Sequence, residues 1–175
     1  MDHSLTLALW SLGRLKSEEL PVIASTWLAG GLDSPSLRQL AGEASPIMSD
    51  VAPLFERSLA ELELRAPGKE EALHRLARYY AERIINGTMS PHEGAGMIWW
   101  EVTNQLDTPS PLFLSFVGAA SELDEIPDIL EDGADRREYV RELETSIVAN
   151  ARKLLEEEPN QPVTQRWGAD APQRG

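Results

Sequence analysis

The chain has 175 residues, sixteen basic against twenty-nine acidic, for a formal net charge of −13 at pH 7. One domain of that length buries a real core without staples, and the absence of Cys excludes disulfides, thiolate nucleophiles and Cys-ligated metals. The negative balance disfavours phosphate backbones and anionic membranes and favours solubility or a basic partner.

The opening MDHSLTLALWSLGRL has an apolar run behind an acidic leader, with no small-residue cleavage site. It reads as a core helix from about Ser4 to Leu15, with Leu5, Leu9 and Leu12 inward, rather than as a signal peptide. A second helix is expected from Ser17 as N-cap, carrying Leu20, Ile23, Ala24, Trp27 and Leu28 on one face and stopping at Gly30-Gly31. Ser34-Pro35 opens a short helix with Leu37, Leu40 and Ala41. Ser45-Pro46 is expected to restart the chain again, followed by a longer helix from near Ser49 to Leu64.

The clearest boundaries lie between Lys69 and Leu106. Leu73, Leu76, Ala77, Tyr80 and Ile84 recur at helical spacing, and Gly87 supplies a residue without a Cβ where a left-handed cap is needed. Ser90 is then the N-cap, Pro91 the first helical residue, and Glu93 stands where a capping box closes. Ala95, Ile98, Trp99, Val102 and Leu106 form the next apolar face. Gly94 and Gly96 each cost roughly 1 kcal/mol in a helix, so close packing against a neighbour is expected there. The pattern G-x-x-S-P occurs at Gly31–Pro35 and again at Gly87–Pro91. Flanking residues do not align, so the two read as independent uses of one punctuation.

Ser110 caps a helix whose residues Leu112, Phe113, Leu114, Phe116 and Val117 are apolar on nearly all sides, and it is expected to be short and deeply buried. Between Glu122 and Asp135 come seven acids and no base: Glu122, Asp124, Glu125, Asp128, Glu131, Asp132 and Asp135. Pro127 and Gly133 read as breakers within that stretch. A last helix is expected from about Ala134 to Glu157, with Val140, Leu143, Ile147, Ala151 and Leu154 on one stripe. At 1.5 Å per residue it is roughly 35 Å long. From Glu158 onward three prolines and no period predict a disordered tail, with Trp167 loose or docked. No window alternates as a strand does. The class expected is all-α, one compact bundle of about six to eight helices over residues 1–157 with helix-corner-helix pairs.

No catalytic constellation stands out, and no enzyme, cofactor or metal is expected. His3, His74 and His92 show neither H-x-x-x-H nor H-E-x-x-H spacing. A calcium loop laid over Asp128–Tyr139 fails at Leu130 and at Tyr139, where Glu is required. Gly94-Ala95-Gly96 follows a helix, not a strand, and lacks the third glycine of a dinucleotide fingerprint. Leu37–Leu54 partly fits a helix-turn-helix, but IMSDVAPLF offers no Arg or Lys to DNA and Pro53 is expected to interrupt it.

Trp10, Trp27 and Trp99 read as core. Trp100 and Met97 lie off the stripe of their helix, and Trp100 either packs on a neighbouring helix or contributes to an exposed contact patch. The layout of helix, G-x-M-S corner, aromatic-bearing helix and acidic segment resembles that of small acidic bacterial proteins that neutralise basic partners, colicin-type immunity proteins among them. No diagnostic motif of such a family is present, so the resemblance assigns no residue. Thirteen Arg against three Lys, with many Ala, suggests a GC-rich bacterial genome.

The function expected is therefore a non-catalytic acidic module binding a basic protein. The acids from Glu122 to Asp135, with Trp100 and Met97, are its candidate surface. The alternative is a ligand-responsive or regulatory helical protein with a degenerate helix-turn-helix. A reducing cytoplasm fits the lack of Cys, and the oligomeric state is left open.

Overall fold

Helix ends organise the fold. In the computed structural model, which describes residues 3–129 and 133–157, there are eight α-helices and no strand among the described residues. They are α1 (His3–Ser11), α2 (Glu19–Ala29), α3 (Pro35–Ala41), α4 (Met48–Glu61), α5 (Lys69–Ile85), α6 (Pro91–Glu101), α7 (Pro111–Ile129) and α8 (Ala134–Glu156). A 3-10 turn, Thr103–Gln105, follows α6. The all-α class is what the apolar periodicity implies. Among the described residues no helix is long and apolar enough to cross a membrane.

Four of these helices end in the same way. After α1 the Gly13 amide meets the Trp10 carbonyl at 2.9 Å and the Arg14 amide meets that of Leu9 at 2.9 Å. This crossed pair is a Schellman motif, which needs a left-handed residue at its centre. Gly13 supplies it with φ +65°, Gly31 after α2 with φ +93°, and Gly87 after α5 with φ +67°. After α4 the same bonds run from Glu63 to Ala60 and from Leu64 to Leu59, and there a glutamate holds φ +55°. A residue with a Cβ is strained in that region, so Glu63 carries a local cost that the three glycines avoid.

Helix starts follow the expected serines in part. The Ser34 hydroxyl accepts from Leu37 N at 3.2 Å, Ser90 from Glu93 N at 3.2 Å and Ser110 from Phe113 N at 3.4 Å. Ser17 does not cap α2. Its hydroxyl is hydrogen-bonded to Glu18, while the Glu19 carboxylate reaches back to the Lys16 amide at 2.6 Å. Ser45 does not open α4 either; Ile47 stands at that N-cap without a side-chain bond. Pro53, expected to interrupt this segment, lies inside α4. It lacks the N–H that would meet Ser49, but the loss falls near the helix start, where one bond is forgone without ending the helix.

The chain forms two compact units, Met1–Leu76 and Ala77–Gly175, and α5 contributes to both. In the first, α3 packs on α2 and on α4. Its core gathers Leu20, Trp27, Leu37, Leu40, Val51 and Phe55, all of them fully buried or nearly so. Phe55 takes the edge of Trp10 at 4.8 Å between ring centres and lies tilted against Trp27 at 5.6 Å. Each such buried side chain contributes roughly 1.5–3 kcal/mol relative to exposure.

In the second unit α7 packs on α6 and α8, and α6 also meets α8. Ile84, Ala95, Ile98, Phe113, Phe116, Leu123, Ile126, Ile147, Ala151 and Leu154 are buried there. The corner between α5 and α6 closes tightly because of Gly94: a Cβ on it would stand 2.4 Å from Ile84 Cγ1. Gly96, expected to pack in the same way, has nothing within 4 Å of such a Cβ. Arg78 of α5 spans the end of α8, donating to the carbonyls of Leu154 at 2.7 Å, Glu157 at 2.8 Å and Leu155 at 3.0 Å. A guanidinium there satisfies orphan carbonyls and sits at the negative end of the helix dipole.

Three sequence expectations change in this unit. Helix α6 stops at Glu101 rather than running on to Leu106, which is half-buried beyond the 3-10 turn. Helix α7 is long, passing through Pro127 to Ile129, so the acids from Glu122 to Asp128 sit on a helix, not in a loop. On it Phe113 and Phe116 are buried, but Leu114 is exposed, because packing on two neighbours covers only one arc of the helix. The expected tail with Trp167, and the acids Glu131 and Asp132, lie outside the described residues.

Candidate protein-binding surface

The acids of α7 are placed by its apolar stripe. Phe116, Ala119, Ala120, Leu123 and Ile126 recur at three- and four-residue steps and are buried. Glu122, Asp124 and Glu125 fall between them on the outer arc and are exposed. They stand in the last turns of the helix, where the dipole is negative, so their charges oppose both one another and the helix end. Asp128 is in the same helix, with its side chain outside the described residues. Asp135 is exposed in the first turn of α8, where a carboxylate is favourable.

Tertiary structure supplies partners that the base-free stretch lacks. Asp124 Oδ1 lies 2.9 Å from His92 Nε2 on α6. Glu122 Oε2 accepts from the Tyr139 hydroxyl of α8 at 2.6 Å. That bond, together with burial and the charges of Glu122 and Glu142, holds the Tyr139 phenol above its usual pKa. Within α7 the Ser121 hydroxyl lies 3.5 Å from Glu125 Oε1. Two of the acids therefore brace α7 against its neighbours while remaining exposed.

On α6 the buried face is made by Gly94, Ala95 and Ile98. Trp100 points away from it and is 62% exposed. Its indole is stacked on that of Trp99, with ring centres 4.8 Å apart and planes 17° from parallel. Trp99, read from sequence as core, is only half-buried, and so is Met97. Of the two readings of Trp100, the structure places it in an exposed aromatic patch. The His92–Asp124 contact ties this helix to the acid-bearing turns of α7, so Trp100 and the acids Glu122, Asp124 and Glu125 belong to one helix pair, while Asp135 stands on α8. His92 and Tyr139 were not singled out in the sequence for this role. Each meets its acid across a helix boundary, and no spacing announces such a contact.

Among the described residues no group of three His, Asp or Glu side chains could hold a metal ion. No family model, curated protein or solved structure matches the chain.

Proposed function

We propose that this protein is a non-catalytic binding module of inhibitor, antitoxin, immunity or adaptor type, that its partner is a basic protein, and that it works in a reducing cytoplasm of bacterial type. The observation that carries the reading is Trp100, a large aromatic side chain 62% exposed and stacked on Trp99. Tryptophan is enriched among the residues that dominate interface energetics, and a stacked pair binds with little further loss of rotamer freedom. The sign of the partner follows from the net charge of −13 and from Glu122, Asp124 and Glu125 on the adjoining helix. Those acids steer a basic partner, with an on-rate that falls as salt screens the field over about 10 Å at 0.1 M. A field of that sign disfavours duplex DNA as partner.

Capture from native lysate with three baits tests this: the wild-type chain, Trp100→Ala, and the double variant Asp124→Asn with Glu125→Gln. The expected result is a basic protein held by the first and lost from the Trp100 variant, an affinity loss of roughly 2 kcal/mol or more. The neutralised bait should capture the same protein with slower association. A captured set shared by all three baits, or one made of acidic proteins, overturns the proposal.

A further inference from the structure

The first unit carries a concavity that the tryptophan-and-acid surface does not involve. It lies between α1 and α2 as an open groove of about 450 Å³, within the range of roughly 300–1,000 Å³ typical of small-molecule sites. Its walls are Thr6 of α1 and Val22, Ile23, Thr26 and Trp27 of α2, with Glu18 and Glu19 at the start of α2. Ile23 and Trp27 are buried and form an apolar floor, with Trp27 held edge-on by His3 at 5.1 Å. Val22, by contrast, is 65% exposed, an aliphatic side chain left in water at the groove.

The polar groups decide what this groove would take. Thr26 has its hydroxyl committed to the Val22 carbonyl at 2.9 Å, and Thr6 is fully buried and already partnered. That leaves the two carboxylates. Glu19 accepts from Lys16 N through Oε2, which does not exhaust a group able to accept about four hydrogen bonds. The start of α2 contributes about half a positive charge, against two full negative ones, so the rim remains negative. Among the described residues no Lys or Arg lines the groove. An anion is repelled, and a neutral ligand forgoes the charge-assisted pairing that the carboxylates offer a cation.

We propose that the groove between α1 and α2 binds a small lipophilic ammonium, its apolar body on Val22, Ile23 and Trp27 and its cation at Glu18 and Glu19. Charge complementarity and the size of the groove select this occupant. A partner helix would need a long open face, and a second copy of the chain would bring like charge to a negative rim.

Three probes of one skeleton test it on the full chain: phenethylammonium, 2-phenylethanol and 3-phenylpropionate, followed through the methyl resonances of Val22, Ile23 and Thr26. The ammonium should give saturable shifts confined to those methyls, the alcohol should bind about tenfold more weakly, and the carboxylate should not bind. In Glu18→Gln with Glu19→Gln the preference for the ammonium should vanish while alcohol binding persists. Val22→Lys changes an exposed position, so the fold should persist, and the cation it adds should abolish ammonium binding. Equal binding of ammonium and alcohol, binding of the carboxylate, indifference to Val22→Lys, or no saturable shift at all overturns the proposal.

Discussion

The corner at Gly31–Pro35 and the corner at Gly87–Pro91 share their punctuation and their local geometry. In each a helix ends on a left-handed glycine, and a serine hydroxyl then accepts from the amide three residues on. They differ in what secures them. At the first, the carboxylate of Glu61, from the end of α4, accepts from the Ser36 amide at 3.0 Å and its hydroxyl at 2.7 Å. At the second, the carboxylate of Asp124 from α7 reaches only the His92 ring, at 2.9 Å, and no side chain from another helix accepts from the corner's amides among the described hydrogen bonds. Instead Gly94 lets α6 approach Ile84 more closely than any Cβ allows. A carboxylate holds the backbone of one corner, close packing the backbone of the other, and the two should fail under different insults.

The largest effect is expected where they are alike. Gly31→Val and Gly87→Val should each lower unfolding stability by roughly 2–3 kcal/mol in urea titrations, because a β-branched residue is strained at positive φ. Glu63 tests the same physics in reverse: Glu63→Gly relieves a strained cap and should stabilise by about 0.5–1 kcal/mol. If the two valine variants differ widely, the caps are not equivalent.

Next comes the shape-held corner. Gly94→Ala should destabilise by about 1–3 kcal/mol, since the added methyl must displace the buried Ile84 side chain. Gly96→Ala, in the same helix with open space around it, should stabilise by up to about 1 kcal/mol through helix propensity. Equal effects at both positions would mean that Ile84 yields freely. The first corner has no counterpart to this pair.

The smallest effect separates the corners by pH. Hydrogen bonds from the Ser36 amide, then from Ser34 and Ser36, hold the Glu61 carboxyl below its ordinary value of 4.5, opposed by slight desolvation and helped by Arg57. A carboxyl lowered in the folded state binds fewer protons there than when unfolded. Its contribution is complete above about pH 4.5 and is lost as pH falls through the lowered folded value. Melting measured across that window should fall less steeply for Glu61→Gln than for wild type, and local exchange at the start of α3 should report the loss. The α5–α6 corner should show no matching response in its amides, since no carboxylate from another helix accepts from them among the described hydrogen bonds.

These contrasts show what was legible beforehand. Ser34, Ser90 and Ser110, each followed by Pro, announced helix starts correctly because the cap bond is local. Ser45, also followed by Pro, and Ser17, followed by Glu18, were read as starts too but make no cap bond, since the chain path at Ile47 and Glu19 determined those ends instead. The acidic stretch was read as broken at Pro127, yet burial of Leu123 and Ile126 carries α7 through it. For the candidate surface, Trp100 was singled out by its position off the apolar stripe of its helix, and the acids by a stretch that holds no base. Their pairings with His92 and Tyr139 were not.

By itself the sequence determined the all-α class, most of the buried positions and the punctuation of both corners, because hydrophobic period, caps and glycine conformation act within a few residues. Only the tertiary structure decided that Glu61 meets the start of α3 and that Arg78 closes the end of α8. It also decided that Gly94 faces Ile84 while Gly96 faces open space, and that Trp100 stands in water beside Trp99. Each of these depends on which helix lies alongside which, and that is set by packing between helix surfaces rather than by any spacing along the chain.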